Sequence, residues 1–152
     1  MELFRKALDM TKADIYQFIA KQKLGVLGTF SSGGRPQSAL VGIAVTPELE
    51  IIFDTVKSSR KFQNLMSNRG CSFVIGWTGE ITVQYEGQAG QPKGVALARY
   101  QQAYFARWPE CGSHLSWPAS RISWSARGGF ATATLIRIRP SLKSSPSTLI
   151  FI

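Results

Sequence analysis

The residues best suited to chemistry sit together in Ser58-Ser59-Arg60-Lys61. They follow the apolar run Ile51-Ile52-Phe53 and the pair Asp54-Thr55. The apolar run reads as the end of a buried strand. Ser58 or Ser59 is then a good N-cap for a short helix, with Phe62, Leu65 and Met66 three and four apart on one face. The start of a helix offers unpaired backbone N–H groups and a partial positive charge, which suits a phosphate. Arg60 adds a fork of donors and Lys61 a point charge. The pattern therefore predicts a turn that grips the phosphate of a ligand. It is shorter and looser than a P-loop, and a capped surface helix with solvated charges would read the same way.

Little else in the chain has the makings of a reactive group. His114 is the single histidine and has no serine or cysteine nucleophile motif beside it. Two cysteines, Cys71 and Cys111, make neither a disulfide framework nor a zinc site. They read as packing residues in a reduced cytoplasm. The first six residues, Met1 to Lys6, lack the apolar core of a signal peptide. No apolar run approaches the roughly 20 residues that span a bilayer. A hydrophobic content of 44% and a charged content of 18% are ordinary for a globular chain, and 152 residues suffice for one core.

The net charge of +9 is uneven. Residues 119–152 carry Arg121, Arg127, Arg137, Arg139 and Lys143 and no acidic residue. A basic tail can serve nucleic acid, which would make binding steeply salt-dependent. Here the charges are scattered, so neither nucleic acid nor a membrane is the expected partner.

Several elements must position the Arg60 turn. Thr11 caps a helix that runs to about Lys21, with Asp14 completing a capping box. Gly25–Phe30 reads as a strand, Ser31–Gly34 as a turn, and Gln37–Val45 as a second strand. Ser38, Ala39, Gly42 and Ala44 keep that strand lean, either for close approach by something flat or for tight sheet packing. Glu50–Phe53 is a third strand, after the turn Thr46–Leu49. The short helix ends where Gly70 can stop it. Cys71–Trp77 and Ile81–Gly87 read as further strands, the latter alternating apolar and polar residues. Pro92 to about Arg107 is helical, with an aromatic stripe at Tyr100, Tyr104 and Phe105 that reads as core or interface packing. Adjacent hairpins without regular strand–helix alternation predict a mainly β domain, an antiparallel barrel or sandwich with a few packing helices.

Gly25–Phe30, the Gly33-Gly34-Arg35-Pro36 turn, Phe53-x-Thr55-x-x-x-Ser59-Arg60-Lys61 and Ile81–Gly87 resemble, in order and spacing, the pyridoxamine 5'-phosphate oxidase-like family. The resemblance covers roughly residues 11 to 118. It implies a six-stranded antiparallel split β-barrel that forms a homodimer, with FMN in a groove at the dimer interface. By position, Arg60 and Lys61 look like the FMN phosphate ligands, with Ser59 beside them. Asp54 and Thr55 fall where family members meet the flavin through backbone and hydroxyl. Ser38, Ala39, Leu40 and Val41 match the strand that lies along the ring. Thr82 falls where many members place a polar side chain near the flavin. Two cationic contacts of the oxidase itself are replaced by Ala39 and Ala44, and its C-terminal substrate-binding arginine and histidine have no counterpart. The resemblance therefore implies a flavin-dependent oxidoreductase related to that enzyme, its substrate unknown and its catalytic residues unassigned. The alternatives are a non-catalytic flavin- or haem-binding or sensing module and a deazaflavin-dependent reductase of the same fold.

The resemblance fades after residue 118. Gly129–Pro140 reads as a strand, but Ser141–Ser147 is of low complexity. Family members close with a strand carrying tryptophan-x-arginine-tyrosine-serine-aspartate and an acidic, proline-containing end. Read with the third base of each codon joined to the first two of the next, Ala131–Ile136 can encode Y-S-D-F-D. The residues from Arg121 can encode Y-F-L-V-R-P-R-W-V, and the stretch after Ile136 P-x-P-P-L-I-E-E-F. Residues 119–152 are thus expected to be an atypical tail, frame-changed by one base near Pro118 to Ser120, in place of the last barrel strand.

Overall fold

Antiparallel hairpins build a sheet that closes on itself. The computed structural model of the chain describes residues 10–79, 81–111, 121–127 and 134–137. Within them run α1 (Lys12–Lys21), β1 (Leu24–Phe30), β2 (Pro36–Val45), β3 (Ile51–Val56), α2 (Arg60–Ser67), β4 (Gly70–Ile75), β5 (Ile81–Gly90), α3 (Gly94–Arg107), a short 3₁₀ turn (Pro109–Cys111), β6 (Arg121–Arg127) and β7 (Thr134–Arg137). The sheet order is β4-β1-β2-β3-β6-β5-β7, and a further β4–β5 pairing joins six of the strands into a ring.

This is the mainly β barrel with packing helices that the resemblance implies, with seven strands among the described residues in place of the expected six. The ring itself has six strands, β1 to β6. The extra strand, β7, pairs with Ile81–Gln84 of β5, whereas β6 pairs with Gln88–Gly90 of the same strand. Two segments of the 119–152 tail thus enter the sheet. The strand expected over Gly129–Pro140 is confined to Thr134–Arg137 among the described residues. β6 was not expected at all, although Ile122, Trp124 and Ala126 alternate with polar residues, which is a strand signal.

Strand alternation decides what fills the barrel. Leu27, Ile43, Ile51, Phe53, Ile75 and Val83 point inward and are essentially inaccessible to solvent. Phe73 sits at their centre, edge-on to Phe53 at 5.5 Å and to Tyr85 at 6.2 Å between ring centroids. Each such side chain contributes about 1.5–3 kcal/mol by leaving water. A second, smaller cluster lies outside the barrel, where Tyr100 and Tyr104 of α3 cover Ala44 and Ile52.

The helices follow their sequence signals with small shifts. Thr11 and Asp14 form the expected capping box: Thr11 N–H donates to Asp14 Oδ2 at 2.8 Å and Asp14 N–H to Thr11 Oγ1 at 3.2 Å. The Thr11 hydroxyl, which donates to Asp14 Oδ2 at 2.6 Å, and then the Thr11 N–H hold the Asp14 carboxyl below the ordinary carboxylate range. Helix α2 ends at Ser67, capped by Asn68 in an extended conformation, so Gly70 opens β4 rather than stopping the helix. Its inward face also differs from the expected one. Leu65 and Asn64 are buried, while Met66 is 58% exposed. Strand β4 stops at Ile75, two residues before the expected end, because Gly76 turns the chain at φ +79°.

Candidate functional site

The turn that was expected to bind phosphate is built by its own hydroxyls. β3 ends at Val56, and the Ser59 N–H closes the turn on the Val56 carbonyl at 3.0 Å. Ser59 is the N-cap of α2, and its Oγ accepts from the Phe62 N–H at 3.2 Å. The same Oγ is 2.7 Å from Oγ1 of Thr55, a buried residue. Gln63 Nε2 donates back to the Lys57 carbonyl at 3.2 Å. Arg60 is exposed and Lys61 half-buried in the first turn, which contains no acidic residue. Two cations therefore flank the positive end of a helix dipole. That donor set fits a phosphate.

Asn64, which no sequence motif marks, fixes this helix to the barrel. Buried Asn64 donates through Nδ2 to Thr29 Oγ1 on β1 and to Gln37 Oε1 on β2, both at 2.9 Å. A buried amide needs such partners. The signal in the sequence was an asparagine one position before Leu65, on the face that must turn inward.

Strand β2 has two halves with different surroundings. Its even-numbered residues face outward. At the far half, Gly42 lies beneath α3. A Cβ there would stand 3.0 Å from the Trp108 ring and 3.1 Å from Tyr104 Oη. Trp108 Nε1 donates to the Ile43 carbonyl at 3.1 Å. Here tight packing, the second of the two readings of the lean strand, is what the small residues serve, and Ala44 is buried in the same contact. At the near half, Ser38 is exposed and Leu40 is 59% exposed, while Ala39 is half-buried and Val41 turns into the core. So Ser38 and Leu40 present side chains outward, and Ala39 and Val41 contribute backbone.

Asp54 stands on the boundary of the two halves, at the Tyr104 hydroxyl that covers Gly42. It follows Phe53, which pairs with Ile43 of β2. Tyr104 donates its hydroxyl to Asp54 Oδ1 at 2.7 Å. Sequence reading gave Tyr104 only a place in a packing stripe. The structure thus brings Asp54, Thr55, Ser59, Arg60 and Lys61 together along the end of β3 and the turn after it; the β2–β3 ladder stops at Ile43 and Phe53, and the link from this helix to the start of β2 is Asn64 to Gln37. Thr82 is not joined to them by any hydrogen bond among the described residues. It is buried on β5, and its hydroxyl donates to the Gly76 carbonyl at 2.5 Å.

Beyond Ser38 the outer sheet face continues as a cavity of about 650 Å³ that includes Gly28, Ser72, Glu86 and Gln88. An apolar row runs next to it: Leu40 and Val74 are both opposite Val26, and Val74 is 37% exposed. Cys71 is buried, which pushes its thiol up to about 11, so it is inert at neutral pH. Among the described residues no group of three or more metal-ligating side chains is present, and no helix is long and apolar enough to cross a membrane. His114 lies outside the described residues.

Known proteins give this geometry its context. A family model described as pyridoxamine 5'-phosphate oxidase matches residues 11–124. The fold is similar to that of a haem-binding protein from Mycobacterium smegmatis, with 18% identity and a TM-score of 0.68 over 78% of this chain and 52% of that one. HutZ, a haem storage protein from Vibrio cholerae, is similar at 15% identity and a TM-score of 0.67, over 82% of this chain and 92% of that one. An F420 reductase is similar at 16% identity and a TM-score of 0.57, over 78% and 95%. This chain spans about half the length of the Mycobacterium smegmatis protein. No curated protein matches the sequence.

Proposed function

The chain belongs to the pyridoxamine 5'-phosphate oxidase-like family, and from that premise we propose that it binds FMN and acts as a flavin-dependent oxidoreductase. The observation that carries the proposal is the Arg60–Lys61 turn. Two cations stand at the start of a helix whose N-cap hydroxyl is braced by Thr55 and which Asn64 ties to the start of β2. Arg60 and Lys61 would hold the phosphate and Thr55 and Ser59 would shape the turn around it. Ser38 to Val41 and Asp54 would lie along the ring. Bound FMN would supply the hydride and electron transfer, while the chain supplies binding, orientation and exclusion of water.

The haem-binding neighbours and the F420 reductase favour other ligands on the same fold. Haem brings no phosphate, and its binding would leave the Arg60 turn without a role. A deazaflavin shares the ring and phosphate requirements of FMN and differs in its redox chemistry. The visible spectrum after loading separates the flavin bands from a haem Soret band.

The double change Arg60→Ala with Lys61→Ala is the test. Each charge-assisted contact is worth about 1.5–3 kcal/mol, so FMN affinity should fall by about a hundredfold or more. Riboflavin, which lacks the phosphate, should change little. Equal losses for the two ligands would refute the phosphate role.

A second copy of the chain is the proposed partner. The row of exposed Leu40, half-buried Val26 and exposed Val74 next to the ring stretch gives an apolar face that a homodimer would cover. The mass in solution should be twice that of the chain, and a monomer at micromolar concentration would count against it.

A further inference from the structure

One contact beside the proposed flavin site belongs to no motif. Tyr104 reaches from α3 to Asp54 on β3 with a 2.7 Å hydrogen bond. We propose that Tyr104 is a positioning residue that sets how much negative charge the Asp54 carboxylate presents to the ring of the bound flavin, and thereby sets its reduction potential. The inference rests on the FMN reading above.

The placement comes from the ladder. Asp54 is the residue just past Phe53, the last β3 position paired with β2, and Gly42 is the residue just past its partner Ile43, followed by Val41 and Leu40. Asp54 and Gly42 meet the same Tyr104 hydroxyl, one residue from the stretch assigned to the ring. Its side chain is only half-buried, and its donor is fixed. Tyr104 is 4% exposed and stacks on Trp108, with ring centroids 6.4 Å apart at an interplanar angle of 25°. The Trp108 indole is in turn tied to the Ile43 carbonyl. Gly42 admits both rings, since any larger residue would meet them at about 3 Å. The hydroxyl is thus aimed by packing.

The sign of the effect follows from charge. Reduction adds electrons to the ring, and a nearby carboxylate opposes that step. An O–H donated to the carboxylate offsets part of its charge, and does so more strongly away from bulk water. Removing the carboxylate should favour the reduced ring. Removing only the donor should favour the oxidised ring. A purely structural contact would not produce opposite signs.

The experiment uses the full chain loaded with FMN. Its midpoint potential and its affinity for oxidised FMN are measured for the natural sequence, Asp54→Asn, Asp54→Glu and Tyr104→Phe. Asp54→Asn should raise the potential and Tyr104→Phe should lower it. Each should change the ratio of affinities for reduced and oxidised FMN by up to about tenfold, which is about 30 mV for a two-electron couple. Asp54→Glu, which keeps the charge, should return towards the natural value. If Asp54→Asn does not fold, the downward shift in Tyr104→Phe decides alone, because that change keeps the ring packing. Shifts in one direction for both variants, or none, would overturn the inference and leave the FMN reading standing. A natural protein that takes up no FMN would overturn both, and would be seen before any variant was made.

Discussion

Helix α3 meets β3 at both ends with the same chemistry and to different effect. At the start of the strand, Tyr100 donates to Glu50 Oε1 at 2.7 Å. At the far end, one helical turn later, Tyr104 donates to Asp54 Oδ1 at 2.7 Å. Around Glu50 the rest of the shell is closed. Arg99 Nη2 stands 3.0 Å from Oε2, Thr46 Oγ1 lies at 3.3 Å, and the Glu50 side chain is 14% exposed. That carboxylate holds the Thr46–Leu49 turn, where the Thr46 N–H meets the Glu50 carbonyl at 3.0 Å. The Asp54 end leads instead into the turn that carries Arg60 and Lys61. A tyrosine–carboxylate bond is thus a fold device at one end of the strand and a neighbour of the candidate site at the other. The residues around the carboxylate make the difference.

The sharpest way to break this comparison is Glu50→Ala. It removes the part-buried carboxylate that accepts from both Tyr100 and Arg99, and should cost about 2–3 kcal/mol of stability, read as a lower melting temperature. FMN affinity of the folded fraction should not change. A loss of FMN affinity as large as the loss of stability would mean that the two ends of β3 are not separate in role. A smaller effect of opposite kind is expected from Thr55→Val. It removes the hydroxyl that braces Ser59 while keeping the side-chain volume. Stability should fall by about 1 kcal/mol or less, and FMN affinity by about threefold to tenfold, measured by titration. If Thr55→Val leaves FMN affinity intact, the brace belongs to the helix cap alone.

The legibility of these regions in the sequence was unequal for physical reasons. The Arg60 turn is local: strand, N-cap and helix start lie within a dozen residues, so the pattern placed the cap and the helix, although β3 runs on to Val56, three residues past its expected end. The barrel strands β1 to β5 were legible from alternation and turns, to within a few residues at their ends. The contacts of Asn64 with Thr29 and Gln37, and of Tyr104 with Asp54, join residues far apart in the chain, and no spacing rule reports them. Tyr104 looked like one aromatic in a stripe because a helix face does not say what it will cover. β6 was passed over because the tail around it departs from the family pattern, although its own alternation is plain. That tail remains the place where we propose a one-base frame change near Pro118 to Ser120. The gene sequence decides it, since a codon choice incompatible with the alternate reading would end the idea.

Asn64 has a consequence in the time domain. Its one amide group ties the helix bearing Arg60 and Lys61 to both strands of the first hairpin. A ligand held by that helix could leave by letting the helix swing away only if two hydrogen bonds, one buried and one part-buried, broke together. The proposed phosphate grip should therefore show itself less in how fast a ligand arrives than in how long it stays.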